Sequence, residues 1–245
     1  MKLKQLACLA ALTTPFTANA DFLSVTAGGG VWNASPDGNI QTTSDPASVD
    51  IKDNLFWDDE SQGYLFVTFE HFVPLIPNAK LVHTSIDQDG SGNTSFVFDD
   101  ETFTGNVTND FAIDTTDLIL YYEVLDNVVS LDIGLNIRTL SVDYTITSTD
   151  TNTTVKDSLN ETVPMLYALV GASPWPDVII SGEISYIAFD GSSISDITAK
   201  IAYTTDFFVG FEAGYRMQEY EFDDISDTDA DLSFDGIFAG AYLKF

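Results

Sequence analysis

From Val129 to Arg138 the chain alternates without a break, with Val129, Leu131, Ile133, Leu135 and Ile137 on one parity and Ser130, Asp132, Gly134, Asn136 and Arg138 on the other. Successive side chains of a strand point to opposite faces, so this segment has one apolar face and one charged face. Two settings accept such a strand. In a soluble sandwich the apolar face turns inward against a second sheet; in a barrel immersed in lipid it turns outward and the polar face lines the lumen. After Arg138 the apolar residues change parity to Leu140, Val142, Tyr144 and Ile146, which predicts a bulge near a barrel rim.

The last residues favour the second setting. Ala239, Gly240, Ala241, Tyr242, Leu243, Lys244 and Phe245 form another alternating strand, ending on an aromatic carboxy-terminus. Lipid tolerates backbone only where every polar group is paired, so a strand at the terminus must close a ring. Gly240, Leu243 and Phe245 fit the insertion signal through which a barrel-assembly machinery would take hold of the chain, although Phe238 stands where a polar residue is more usual. At the other end, Lys2 and Lys4 precede the apolar stretch Leu6 to Leu12 and the small residues around Ala18 and Ala20, the pattern of a secretory leader over residues 1–20. That stretch is far shorter than the roughly 20 residues a membrane-spanning helix needs. The domain expectation is thus a leader, 1–20, and a single barrel, 21–245.

Reading the remaining segments in the same way gives strands over 22–33, 63–72, 79–88, 115–125, 161–171, 177–189, 195–203 and 207–217. The predicted fold is an all-β, antiparallel, up-and-down transmembrane barrel of about ten strands, with eight or twelve left open because 79–88 and 161–171 have ambiguous faces. Short connections at 73–78, 126–127, 173–177 and 205–206 are expected at the periplasmic end. The connections 35–62, 89–114, 148–160, 190–193 and 223–230 are expected to be longer, acidic and extracellular. Phe22, Phe72, Trp175, Phe207 and Phe245 fall near the inner membrane boundary, and Trp32, Tyr64, Phe189 and Tyr220 near the outer one.

The alternation sends Glu70, Glu123, Asp132, Glu183, Asp196 and Glu212 into the lumen together with Arg138, Lys200, Arg216 and Lys244. A barrel of about ten strands is only slightly wider than one of eight, whose interior is just filled by side chains, so these charges are expected to pair across a nearly plugged lumen. An unpaired buried charge would cost several kcal/mol, which favours a cross-linked polar core over isolated sites.

Composition narrows the partners. Thirty-eight acidic against nine basic residues give a formal net charge of −29, the wrong sign for binding nucleic acid. Aromatics at 13% and hydrophobics at 44% argue against a disordered chain of that charge. The one cysteine, Cys8, lies in the expected leader, so the barrel needs no disulfide. Asp87, Asp89 and Ser91, with Gly90 and Asn93, resemble the first half of a calcium loop, but Phe98 stands where its closing glutamate would be. Divalent cations therefore remain a candidate partner without a complete ligand set, and no cofactor is expected. His71 lies by a turn and His83 within a strand, neither beside a carboxylate suited to general-base work, so no enzyme is expected. Gly28, Gly29 and Gly30 have no helix after them and read as close backbone packing, not as a phosphate loop.

Several stretches carry a family resemblance: Gly28 to Ala34, Glu70 to Asn78, Asp117 to Asn127, Ser193 to Lys200, and Gly214, Tyr215 and Arg216 with the acidic run into Asp235 and Gly236. On these the chain resembles a family of small Gram-negative outer-membrane barrels named for a glycine-glycine signature. The resemblance implies a barrel in the cell outer membrane, among outer-membrane lipid and lipopolysaccharide. It brings no activity, ligand or catalytic residue. The expected role is structural or surface-interacting, the alternative a narrow cation-preferring pore, and a hydrolase or acyltransferase at the outer rim a more distant third.

Overall fold

A computed structural model describes residues 23–225 and 227–245; the leader and Phe22 lie outside them. Eleven strands follow one another with no helix between them: β1 (Leu23–Thr42), β2 (Val49–Asp50), β3 (Glu60–His71), β4 (Asn78–Phe98), β5 (Glu101–Asp126), β6 (Val129–Ser148), β7 (Thr153–Trp175), β8 (Val178–Phe189), β9 (Ser192–Thr204), β10 (Val209–Ile225) and β11 (Thr228–Lys244). All except the two-residue β2 form an antiparallel up-and-down ring in chain order, closed by β11 on β1 from Thr26↔Lys244 to Thr42↔Thr228. The ring has no free end at the carboxy-terminus, since Val25 and Phe245 exchange two backbone hydrogen bonds of 2.9 Å. Closure needs close approach. A Cβ on Gly30 would stand 2.2 Å from the Ala239 carbonyl oxygen, and one on Gly240 2.8 Å from the Gly29 carbonyl oxygen, so the backbones pack too closely for a side chain at either position.

The expected short turns, at what is called here the lower end, are 72–77, 127–128, 176–177 and 205–208. The upper end differs from expectation. Strands β4 and β5 run through most of 89–114 and meet in a two-residue turn, Asp99–Asp100, with φ of 54° and 58°; β8 and β9 meet at Asp190–Gly191, with φ of 51° and 89°. Tight turns with both central residues left-handed match the twist of the strands they join, and Asp and Gly tolerate that conformation. What the sequence presents as long acidic loops is therefore mostly hairpin that rises above the rest of the barrel. The exception is 43–59, which folds inward.

The bulge expected after Arg138 is absent. Strand β6 keeps register with β5 from Ser148 down to Asp132 and with β7 over its whole length; the shifts that do occur lie at Glu123/Leu125, Ala172/Trp175 and Phe222/Ile225. Parity does not change at Arg138; what changes is the chemistry of each face. Below it, Val129, Ile133, Leu135 and Ile137 are exposed on the outside and Asn136 and Arg138 buried inside; above it, Leu140 and Ile146 are buried inside and Thr139 and Asp143 face out. The neighbouring strands reverse at the same level, because Ile137 pairs with Leu118 and Thr139 with Thr116, and Thr116 in turn pairs with His83. On β1 the outward row passes from Val31 to Asn33, opposite Gly63 and Ser61.

The molecule thus has two storeys. The lower has an apolar outside and a polar inside. In the upper, an ordinary apolar core lies within a polar wall: Ile86, Phe103, Phe111, Ile146 and Phe234 pack around Ile51, Leu55 and Trp57 of the inward-folded segment. Trp57 lies edge-on to Phe111 at 4.9 Å and its indole donates to Asn109 Oδ1 at 2.8 Å, while Asn109 Nδ2 donates to the carbonyls of Leu55 and Gly90. The 43–59 segment is a plug. It is also tied at its base by Asp45, whose carboxylate accepts from the Asp99 and Asp100 amides and from Thr42.

Candidate functional site

The lumen of the lower storey holds the ionisable groups, and each is placed by strand parity. At its top, Arg138 on β6 forks onto Asp117 of β5 (Nε–Oδ1 2.7 Å, Nη2–Oδ2 2.9 Å) and reaches Asp196 of β9 through Nη2 at 2.5 Å. Arg216 on β10 takes the other side of Asp196 at 3.1 and 2.7 Å and donates to Thr84 Oγ1 at 2.9 Å. Gln218 adds a third donor to Asp196, and Asn136 a further one to Asp117. Two guanidinium groups and two carboxylates on four strands thus close the lumen in one layer, each charge meeting an opposite one. The Arg216 guanidinium lies 5.2 Å over the Trp32 ring, which is fully buried and begins the apolar storey above.

Below this layer stand two further pairs. Lys80 meets Glu183 at 2.7 Å, and Tyr167 donates to the same carboxylate at 3.0 Å; Lys200 meets Glu212 at 3.0 Å, and Tyr64 donates to it at 2.8 Å. Near the lower mouth Tyr121 donates to Glu70 at 2.9 Å. A cavity of about 70 Å³ lies among these groups; its lining includes four basic side chains, Lys80, Arg138, Lys200 and Arg216, and four acidic ones, Asp117, Glu183, Asp196 and Glu212, together with apolar ones such as Phe66, Val82, Ile119 and Phe238. At about 10–15 Å³ per enclosed water this is room for a few waters.

Of the residues expected in the lumen, Arg138, Glu183, Asp196, Lys200, Glu212 and Arg216 come together, and Glu70 joins through Tyr121. Asp132 is buried, whereas Glu123 is exposed at the lower mouth and Lys244 ends β11 there. Asp117 and Lys80 are partners that the sequence reading did not single out. Asp117 had the right parity, but Lys80 lies on a strand whose alternation is blurred by the reversal at His83. Gly240 and Leu243 sit in the closing strand, Leu243 and Phe245 exposed on its outside.

Three expectations are corrected. Trp32, Tyr64 and Tyr220, expected on the outer aromatic rim, point inward and are buried, because their parity is that of the lumen. The charged network of the lumen is confined to its lower storey, because above the reversal the apolar residues turn inward and most polar ones outward. Asp87, Asp89 and Ser91 do not form a loop: they follow one another along the outward face of β4, paired with Ala112, Asp110 and Thr108, and an extended strand does not wrap side chains around one ion. Among the described residues, no group of three His, Cys, Asp or Glu side chains is placed to hold a metal. His83 lies outside at the reversal, 3.1 Å from Thr116 Oγ1, and His71 accepts from the Val73 amide at the lower end.

No family model matches the chain, and no curated protein matches it in sequence. Solved structures do. The outer membrane protease OmpT from Escherichia coli superposes with a TM-score of 0.57 over 92% of this chain and 97% of that one, at 9% identity. The transport unit of the autotransporter AIDA-I from Escherichia coli gives 0.42 over 98% and 95% at 6% identity, and the attachment invasion locus protein Ail of Yersinia pestis 0.38 over 91% and 98% at 9% identity. The fold is that of an outer-membrane β-barrel. At such identities the likeness carries the fold alone.

Proposed function

We propose that this chain is an integral protein of the cell outer membrane with a sealed lumen, acting through the water-facing upper storey as a structural or surface-interacting element. The reversal of face polarity at the Arg138 level carries the reading, since a wall that changes from apolar to polar while its interior does the opposite matches a cylinder standing half in lipid and half in water. Its partners in this reading are outer-membrane lipid and lipopolysaccharide around the belt, divalent cations between its carboxylates and lipopolysaccharide phosphates, and a barrel-assembly machinery at Gly240, Leu243 and Phe245. Membership of the glycine-glycine barrel family is part of the same proposal. The polar layer and the plug speak for a sealed barrel over a narrow cation-preferring pore, and the placement of both histidines outside the lumen speaks for a non-enzymatic role.

Planar-bilayer recording tests the sealed reading. Purified protein is expected to stay silent over a wide voltage range. Discrete cation-selective steps that lose selectivity in Glu212→Gln would overturn it in favour of the pore.

A further inference from the structure

The lower turn joining β3 and β4, residues 72–77, reads Phe, Val, Pro, Leu, Ile, Pro and contains no charged or hydrogen-bonding side chain. In water such a turn is anomalous. Leu75 is 90% exposed and Ile76 55%, and Leu75 holds a left-handed φ of 72°, a conformation that bulky side chains avoid. Among the described residues nothing covers Leu75, and Ile76 is only half covered. One contact shows which way the turn leans: the Tyr122 hydroxyl donates to the Leu75 carbonyl at 2.9 Å, and Tyr122 belongs to the outward apolar row of β5 with Leu118, Leu120 and Val124. The turn therefore bends outward over the belt and does not fold under the lumen mouth.

We infer that this turn is a lipid anchor, its Leu75 and Ile76 side chains lying in the acyl region of the leaflet at the lower end and continuing the belt of β5. The inference rests on the membrane reading above. A length argument supports it: from Val129 to Ile137 the outward row of β6 covers about 26 Å of strand at about 3.3 Å per residue, or about 20 Å of membrane normal at a tilt of about 40°, short of the roughly 25 Å band of such barrels. An apolar turn at the lower end supplies the missing depth. In that setting the Leu75 carbonyl could not be satisfied by water, and Tyr122 provides the donor it needs.

Spin labels at single cysteines test this in a Cys8→Ser background, which leaves no other thiol. The protein is reconstituted in phosphatidylcholine vesicles, and collision with oxygen is compared with collision with a water-soluble nickel chelate. Labels at Leu75→Cys and at Leu135→Cys, the belt control, are expected to meet the nickel chelate several-fold less often than a label at Thr151→Cys in the upper turn. Adding Tyr122→Phe is expected to shift the Leu75 label toward water and leave the Leu135 label unmoved. If the Leu135 label is shielded while the Leu75 label meets the chelate as freely as that at Thr151, the anchor is wrong and the barrel reading stands; if both meet it freely, the membrane reading itself falls. Heat-modifiable gel mobility confirms folding of each variant, and Ile76→Cys replaces Leu75→Cys should the latter fail to fold.

Discussion

Asp196 is the residue on which the lower lumen depends most. Its carboxylate takes three donors, Arg138, Arg216 and Gln218, and both guanidinium groups converge on Oδ2 at 2.5 and 2.7 Å, with the side chains at most 10% exposed. Asp196→Asn keeps the shape and removes the charge. Arg138 retains its two bonds to Asp117, so its loss is partial; Arg216 is left with the Thr84 hydroxyl and the Trp32 ring. The cost is therefore that of one uncompensated buried guanidinium beside a second one, about 3–5 kcal/mol. Urea titration of the protein folded into phosphatidylcholine vesicles measures it, with tryptophan emission as the signal. Arg216→Met removes the stranded charge, so Asp196→Asn with Arg216→Met should cost less than the two single changes together. A loss below about 1 kcal/mol for Asp196→Asn, or simple additivity in the double variant, would mean that water already reaches this layer and that the lumen is not sealed there.

Three further outcomes follow from the two-storey architecture. Leu135→Lys, in the middle of the outward belt, should cost about 2–4 kcal/mol in the same titration, while Ser141→Lys on the same strand face above the reversal should stay within about 0.5 kcal/mol. Asn109→Ala removes the bonds that hold the plug and should cost about 2–3 kcal/mol, with trypsin then cutting at Lys52 in the folded protein where the parent resists. Burial, with Asp157 and Asp99 nearby, pushes the Tyr144 phenol in the upper storey from 10.0 up to about 12. A folded-state value above the unfolded one means that its contribution to stability is intact below about pH 10 and disappears as the pH approaches 12; Tyr144→Phe should therefore lose less stability over that window, by about 1 kcal/mol once solvent screening of this half-buried ring is allowed for, on chemical denaturation.

The lower storey was legible because a strand crossing lipid must keep every outward residue apolar, and β6, β5, β9 and β10 obey that rule cleanly enough to assign Asp132, Arg138, Asp196, Lys200, Glu212 and Arg216 to the inside. The upper storey was not, and the reason is visible at Arg138 and Leu140. Hydrophobic periodicity reports which face is apolar, not which face is inside, so a change of solvent and a one-residue slip leave the same mark in the sequence. In Val129 to Ser148 the register holds throughout and the chemistry of the two faces exchanges, which excludes the slip. The same ambiguity hid Lys80, because Lys80, Val82, Thr84 and Ile86 share one face of β4 on which the chemistry changes half-way. The plug was missed for another reason: Ile51, Leu55 and Trp57 lie in a polar segment with no periodicity, and their burial depends on a chamber built by strands far away in the chain.

That chamber explains why the protein can carry so much negative charge and still keep a defined outer structure. Charge is spread over the outward face of the upper strands, at Asp87 and Asp89 on β4, Asp110 and Asp114 on β5 and Asp143 on β6, all exposed except the half-buried Asp114, which accepts from Ser85. Mutual repulsion would favour a looser arrangement if hairpins alone had to resist it. Here the hairpins are held from inside by an apolar core of aromatic rings, Phe98 and Phe111 against Tyr144 and Phe103 against Phe96, with Trp57 filling its centre. Apolar burial is unaffected by the sign of the wall, so the two terms are independent, and the surface can be tuned in charge without loss of the fold. The lower lumen obeys the opposite rule: Lys80, Arg138, Lys200 and Arg216 are each fixed by a carboxylate on another strand.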